Sequence, residues 1–209
     1  LTISRLAEKI RNCMLVHLDD ARIKSRAGAL APEKVWRGVV LGDESVFTRP
    51  ERGNDTELSV DILLDASASQ IERQESVSTQ AYMIAESLTR CGIPTRVYSF
   101  CTLSGCTVLR LYRDYEEPGK NENIFDYCAA GWNRDGLAFR AAGWLMRSSH
   151  CERRLLMILS DASPNDDRKI TDRDTGRQEL YRGQAGVIDS AEEVEKLRRE
   201  GISVMCIFT

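Results

Sequence analysis

The sequence predicts an α/β protein with a doubly wound, mostly parallel sheet, one antiparallel edge strand and helices on both faces. Short, nearly continuous apolar runs alternate with segments whose apolar residues recur every three to four positions. This pattern is typical of buried parallel strands joined by helical crossovers. Only residues 95–100 and 107–112 follow one another without room for a helix, so they are expected to form a hairpin around residues 103–106.

The length and the charge of the chain favour a single globular domain and disfavour nucleic-acid-binding and membrane-spanning proteins. With 209 residues and 42% hydrophobic content, one core is expected to bury roughly 70% of the unfolded surface. The net charge of −3 and the absence of a basic stretch argue against nucleic-acid binding. No apolar run approaches the ~20 residues that span a bilayer, and no secretory signal opens the sequence, so we expect a cytoplasmic protein.

The seven cysteines show neither a CxxC pair nor a zinc-ligand spacing. Free thiols in a reducing compartment fit this pattern. Several of them, with Cys206 as the example, are expected to be small buried hydrophobes.

We divide the chain into a lead-in segment, residues 1–57, and a main domain, residues 58–209. Apolar residues spaced as one face of a helix between residue 2 and about residue 24 predict a helix that docks on the core. Residues 27–57 are interrupted by glycine and proline, which favours short segments such as 35–40 and 45–48 and a short hairpin. The polar run 49–57 is either an exposed linker or a long loop of the main domain.

The main domain then follows a regular order. Strands are predicted at residues 58–64, 95–100, 107–112, 155–159 and 202–208. A helix over 71–91 is ended by Gly92 and Pro94, and a second is marked by the apolar residues Leu137, Ala141, Trp144 and Leu145. A last helix begins near Ser190, whose spacing to Glu193 matches a capping box, or at Asp189. Residues 163–186 form a mixed-charge stretch, for which a solvated loop is favoured over a partner surface.

Carboxylates follow two of the buried strands directly. Asp65, Ser67 and Ser69 come after the strand 58–64, and Asp161 comes after the strand 155–159. In open α/β sheets, ligands bind beyond the carboxyl ends of the strands. Asp135, in the turn that opens a helix, could face the same crevice, so that three carboxylates would converge.

These residue types favour a divalent cation. Carboxylate and hydroxyl oxygens are hard ligands that suit Mg²⁺, Ca²⁺ or Mn²⁺, and a bound ion relieves the repulsion between neighbouring carboxylates. Serine hydroxyls are neutral, which leaves the ion electrophilic and open to a partner group. The alternative is that Asp65 to Ser69 only cap the next helix, because Asp and Ser are favoured N-cap residues.

Residues 62–69, 133–138 and 156–161 resemble the three metal-site segments of a von Willebrand factor A domain. The family pattern at its metal-ion-dependent adhesion site is Asp-x-Ser-Gly-Ser, a loop threonine and a strand-end aspartate. The resemblance implies Asp65, Ser67, Ser69 and Asp161 as direct or water-mediated ligands, with Asp135 in the place of the threonine. Ala68 stands where the family commonly has glycine.

Asp135, together with the pairs at 36–37 and 46–47, resembles the bacterial subgroup of nitric-oxide-reductase activation proteins and a cobaltochelatase subunit. Members of that subgroup act beside AAA+ ATPases of the MoxR type. The resemblance therefore implies a metal-dependent, non-catalytic interaction module, an adaptor or activator in metalloenzyme assembly or metal insertion.

Two other functions are alternatives to this interpretation. The first is a Mg²⁺-dependent phosphohydrolase with Asp65 as nucleophile, although Ser67 stands where haloacid-dehalogenase-like enzymes place a second acid. The second is an interaction domain with an empty site. Serine or cysteine nucleophiles lack a histidine in a recognisable motif, and there is no glycine-rich phosphate loop.

Overall fold

The computed structural model describes residues 3–9, 12, 22–25, 29–30, 47–50, 58–171 and 176–209. The strands are β1 Arg22–Ser25, β2 Ala29–Leu30, β3 Phe47–Pro50, β4 Leu58–Asp65, β5 Thr95–Leu103, β6 Cys106–Arg113, β7 Arg153–Ser160, β8 Asn165–Thr171, β9 Gln178–Arg182 and β10 Ile202–Phe208. The α-helices are α1 Gln74–Arg90, α2 Asp135–Met146 and α3 Gln184–Arg199, and 3-10 helices cover Ala68–Arg73 and Pro118–Asp126.

The central sheet has five strands in the order β10-β7-β4-β5-β6. The first four are parallel to one another, and β6 pairs antiparallel with β5 at one edge. This confirms the predicted mostly parallel sheet with one antiparallel strand. From β4 the chain continues to β5 on one side of it, and later returns to β7 on its other side. The direction of winding therefore reverses between β4 and β7. Open α/β sheets bind their ligands at such a point.

Each face of the sheet is covered by helices. Val77, Ala81 and Ala85 of α1 pack on one face. Phe139 and Met146 of α2, with Leu197 of α3, pack on the other. Two separate apolar clusters result, one on each side of β4. The central strands are therefore buried on both faces, which is why their sequences are continuously apolar.

The lead-in segment differs in part from the prediction. Residues 3–9 are helical, Ala7 is buried, and its carbonyl accepts a hydrogen bond from the thiol of Cys91 at 3.2 Å, so this turn packs against the end of α1. The helix predicted to reach about residue 24 is too long, because β1 occupies Arg22–Ser25. There β1 pairs antiparallel with β3, which also pairs with β2. The predicted segment 35–40 lies outside the described residues.

Two predictions in the second half of the chain are wrong. The last helix begins at Gln184, not at Ser190 or Asp189, and the hydroxyl of Ser190 donates to the carbonyl of Gly186 at 2.8 Å inside that helix. Within the stretch predicted as a solvated loop, the described residues form two strands, β8 and β9, which pair antiparallel. The pairing of β8 with β9 joins residues distant in sequence, and short strands of this kind leave no strong periodic pattern.

Surface exposure corrects two further expectations. Cys206 is exposed, because β10 is an edge strand of this sheet. On α2, Trp144 is 68% exposed, whereas Ala138, Phe139, Ala142 and Met146 form the buried face. Among the described helices, none is both long and apolar enough to cross a membrane.

Candidate metal centre

The parallel pairing of β4 with β7 brings the predicted strand-end residues to one edge of the sheet. The two strands align Leu64 with Leu159, so Asp65 at the end of β4 lies beside Ser160 at the end of β7. The Asp65 carboxylate is fully buried, and its Oδ2 accepts a hydrogen bond from the Ser160 hydroxyl at 2.8 Å. The central residue of the predicted site therefore sits at the switch point of the sheet.

Hydrogen bonds fix the Asp65 carboxylate from three sides. Its Oδ1 accepts from the backbone N–H of Ser67 at 2.9 Å, and its Oδ2 also accepts from the side-chain amide of Asn133 at 3.4 Å. The hydroxyl of Tyr127 donates to the Asp65 carbonyl. Burial raises the pKa of Asp65, and the hydrogen bonds from Ser67 and Ser160 oppose that rise.

The two predicted hydroxyl ligands lie together beside this carboxylate. The Oγ atoms of Ser67 and Ser69 are 2.9 Å apart, Ser67 is buried and Ser69 is exposed. Ser67 is the N-cap residue of the 3-10 helix Ala68–Arg73, and its side chain makes no cap hydrogen bond to that helix. This geometry disfavours the alternative in which the loop only caps a helix.

Asp135 is a buried acid with one carboxylate oxygen that has no hydrogen-bond partner among the described residues. It opens α2, is 3% exposed, and its Oδ1 has no hydrogen-bond partner among the described residues. Burial first, and then the charges of Asp65 and Asp161, raise the pKa of Asp135 to about 8. A buried carboxylate oxygen without a partner is costly, and coordination to a cation would satisfy it.

Asp161, the remaining residue of the predicted set, directly follows the end of β7. It is half-buried, and its Oδ1 accepts a hydrogen bond from the backbone N–H of Ser163 at 3.0 Å. Across the part of the chain that the structure describes, no three carboxylates, thiols or imidazoles are arranged to hold an ion by themselves. A metal here would need the serine hydroxyls as well as the carboxylates, which is the mixed oxygen set that the sequence predicts and that Mg²⁺ accepts.

Further residues position this site, and sequence reasoning assigned them no role. Asn133 and Ser160 hold Asp65, while Asn133 is itself fixed by Asn165, whose backbone N–H donates to its Oδ1 at 3.0 Å. Ser160 could have been found, because it directly precedes a predicted strand-end ligand. Tyr127 and Asn165 reach the site through long-range contacts and leave no local signal.

The β8–β9 hairpin is anchored to the start of α2. Tyr181 is fully buried, and its hydroxyl accepts a hydrogen bond from the backbone N–H of Gly136 at 2.9 Å. A side chain at Gly136 would collide with Asp189 of α3, whose Oδ2 lies 2.1 Å from the place of a Cβ. Gly136 therefore lets α3 approach the metal-site end of α2 and brings a further carboxylate near it.

Asp65 is poorly placed to act as a phosphohydrolase nucleophile. It has no exposed surface, and both of its oxygens accept hydrogen bonds. An attacking carboxylate needs an oxygen that can reach the phosphorus of a substrate. The geometry thus agrees better with a ligand that orients a cation than with a nucleophile.

The chain is similar in sequence to two curated bacterial proteins. No protein-family model matches the chain. It is 27% identical over 173 residues to protein NorD of Stutzerimonas stutzeri, a match covering 81% of this chain, and 27% identical over 157 residues to an uncharacterised protein of Pseudomonas aeruginosa, covering 73%. The chain spans only about a quarter of the length of these curated relatives, 24% and 23% respectively.

Two solved structures share the fold with TM-scores above 0.5, at low sequence identity. The pilus adhesin SpaC of Lactobacillus rhamnosus GG aligns with a TM-score of 0.55 at 14% identity, over 72% of this chain and 24% of that chain. The PilB minor pilin of Streptococcus sanguinis aligns with a TM-score of 0.51 at 11% identity, over 78% and 59%. A von Willebrand factor type A protein of Catenulispora acidiphila aligns at 0.45, with 15% identity over 73% and 33%.

In its five-stranded sheet, its helices on both faces and the loop from Asp65 to Ser69, the chain resembles a von Willebrand factor A domain. Within that fold, the sequence is similar to NorD.

Proposed function

We propose that this domain is a divalent-cation-dependent protein-interaction module without catalytic activity of its own. The observation that carries the proposal is the buried, unpartnered Oδ1 of Asp135, which lies at the same end of the sheet as Asp65 and the hydroxyls of Ser67 and Ser69. Asp65, Ser67, Ser69, Asp135 and Asp161 would hold the ion, Mg²⁺ in the first place or Ca²⁺ or Mn²⁺. The bound ion would supply a Lewis-acidic position for an oxygen atom of a partner.

The surroundings of the site favour a protein partner over a small molecule. Large apolar side chains next to the site residues are exposed: Trp132 precedes Asn133, Leu137 follows Gly136, and Val187 and Ile188 precede Asp189. Exposed apolar residues around a polar centre are typical of protein–protein interfaces, where aromatic anchors supply much of the binding energy. The mouth of the site offers Ser69 and Asp161, which are accessible from solvent.

The partner that we propose is an AAA+ ATPase of the MoxR type. Similarity to NorD supports this choice, because the subgroup that the sequence resembles acts beside such ATPases. In this role, the domain is an adaptor or activator in the assembly of a metalloenzyme or in metal insertion.

Calorimetric titration tests the metal site directly. Chelator-treated protein is titrated with Mg²⁺, Mn²⁺ and Ca²⁺, and saturable binding of one ion per chain is expected. Asp65→Ala should abolish it, and Ser69→Ala, a change at an exposed hydroxyl that leaves the core intact, should weaken it. Glu152→Ala is the matched control, because Glu152 is exposed at the opposite end of β7. Folded wild-type protein that binds none of the three ions would refute the metal-dependent function.

A binding assay with a purified MoxR-type ATPase from the same organism tests the partner. The complex should form in Mg²⁺ and weaken both in chelator and with Ser69→Ala. A complex that is insensitive to the metal and to Ser69→Ala would make the ion irrelevant to recognition. The absence of a complex under both conditions would refute the adaptor role.

A further inference from the structure

The metal centre holds more negative charge than a divalent ion neutralises. Asp65 and Asp161 lie at the ends of β4 and β7, and Asp135 opens α2 beside them. Three ionised carboxylates against the two positive charges of the ion leave one negative charge in excess. Asp189, whose carboxylate abuts the backbone of Gly136, increases that excess.

The neighbouring basic side chain does not cancel this charge. Arg134 directly precedes Asp135, but its guanidinium lies 3.5 Å from Asp166 and over the ring of Tyr181, 4.9 Å from the centroid. Both contacts direct it toward the β8–β9 hairpin. The remaining polar groups that hold Asp65, the amide of Asn133 and the hydroxyl of Ser160, carry no charge.

Burial makes the excess charge effective. Asp65 and Asp135 are almost fully buried, so the interaction of their charges with a group at the open coordination position is screened less than on the surface. A partner carboxylate that approached the ion would meet repulsion from Asp135. A neutral oxygen with a basic side chain beside it would meet attraction.

We propose that Asp135 sets the partner preference of the loaded site: it repels partner carboxylates and selects a segment that presents lysine or arginine. This inference rests on the proposed metal-dependent function and specifies the partner that the same site takes. The apolar residues Leu137 and Ile188 at the rim would contact the flanking part of such a segment.

Two small probes test the preference on the metal-loaded protein. Mn²⁺ replaces Mg²⁺, and broadening of the acetate methyl signal in proton NMR reports whether a carboxylate reaches the bound ion. The second probe is a capped trilysine peptide, titrated at low ionic strength. The variants are Asp135→Thr and Asp135→Asn, each of which removes the charge, and Glu179→Gln, which removes an exposed carboxylate on β9 as the matched control.

We expect the acetate methyl signal to stay sharp with Mn²⁺-loaded wild type and Glu179→Gln. With both Mn²⁺-loaded Asp135 variants, we expect this signal to broaden. We also expect trilysine to bind wild type about tenfold more tightly than either Asp135 variant. Thermal unfolding checks that each variant is folded, and the isosteric Asp135→Asn retains the shape of the site if Asp135→Thr does not fold.

Other results would overturn either the charge preference alone or the proposed function with it. Equal acetate broadening in wild type and the Asp135 variants, or equal trilysine affinity, overturns the charge preference while leaving the metal site intact. Failure of wild-type protein to bind Mn²⁺ overturns the proposed function itself, and the charge preference with it. The Mn²⁺ titration that precedes the probes separates these two failures.

Discussion

Replacing Asp135 by asparagine should stabilise the metal-free protein, and the gain should grow with pH. The pKa of Asp135 is raised from 3.8 to about 8, first by burial and then by the charges of Asp65 and Asp161. Between these two values the folded protein binds a proton that the unfolded chain has released. The free energy of unfolding must therefore fall as pH rises through this range, with full stability only below about pH 4.

The magnitude follows from the size of the shift. One pH unit corresponds to about 1.4 kcal/mol for a group that is protonated only in the folded state. From pH 6 to pH 8 the loss is about 2 kcal/mol, because the proton begins to dissociate near the upper end. Asp61, whose pKa is raised to about 6, first by burial, is common to both proteins and cancels in the comparison.

Urea unfolding in chelator at pH 6, 7 and 8 measures the effect. The difference in free energy of unfolding between Asp135→Asn and wild type should widen by about 2 kcal/mol over this range. Saturating Mg²⁺ should offset the loss in wild type at pH 8, because the ion binds the ionised carboxylate, and binding at a hundred times Kd stabilises by about 2.7 kcal/mol. A difference that stays constant from pH 6 to pH 8 would refute the assignment of Asp135 as a buried acid with a raised pKa.

Three further changes test the scaffold around the site. Gly136→Ala should destabilise the protein, because the new Cβ would collide with Asp189, and calorimetric unfolding should show a lower Tm; an unchanged Tm would contradict the close approach of α3. Arg96→Ala removes the cation 3.8 Å from buried Asp61 and should cost about 3–5 kcal/mol in urea unfolding at pH 8; a loss below 1 kcal/mol would argue against the ion pair. Trp144→Ser should change the free energy of unfolding by no more than about 0.5 kcal/mol, because this side chain is exposed, and a large loss would mean that it is packed.

The central fold could be predicted because each of its strands has a short, nearly continuous apolar sequence. The apolar run before Asp65 and the stop at Gly92 and Pro94 reflect burial and backbone limits that act within a few residues. The start of α3 could not be predicted in the same way. The spacing of Ser190 and Glu193 matches a cap, but Glu193 pairs with Arg140 of α2 at 2.6 Å and the helix begins six residues before Ser190.

The candidate site shows the same division between local and distant causes. Asp65, Ser67 and Ser69 follow a buried strand, so sequence position alone places them at the edge of the sheet. The partners that hold Asp65 come from other segments, Asn133 from the turn before α2 and Ser160 from the end of β7. Such contacts depend on the register of β4 and β7, which no local pattern encodes.

The helix that carries Asp135 is held at both ends and at its middle. At its C-terminal end, the guanidinium of Arg96 donates to the carbonyl of Leu145 at 3.0 Å and to the hydroxyl of Ser148 at 2.9 Å. A cation there also complements the negative end of the helix dipole. In the middle, the ring of Phe139 packs edge-on against Phe100 of β5, 6.4 Å between centroids.

These contacts explain how an unsatisfied carboxylate can persist at the start of α2. If the helix could shift freely, Asp135 would turn toward solvent and the cost of its burial would vanish. Because Arg96 and Phe139 fix the helix, the carboxylate stays buried beside Asp65 and its free energy is lowered only by a proton or by a cation. The scaffold therefore keeps the metal centre preorganised at the expense of stability in the metal-free state, and α2 is the element through which binding of an ion would stabilise the fold.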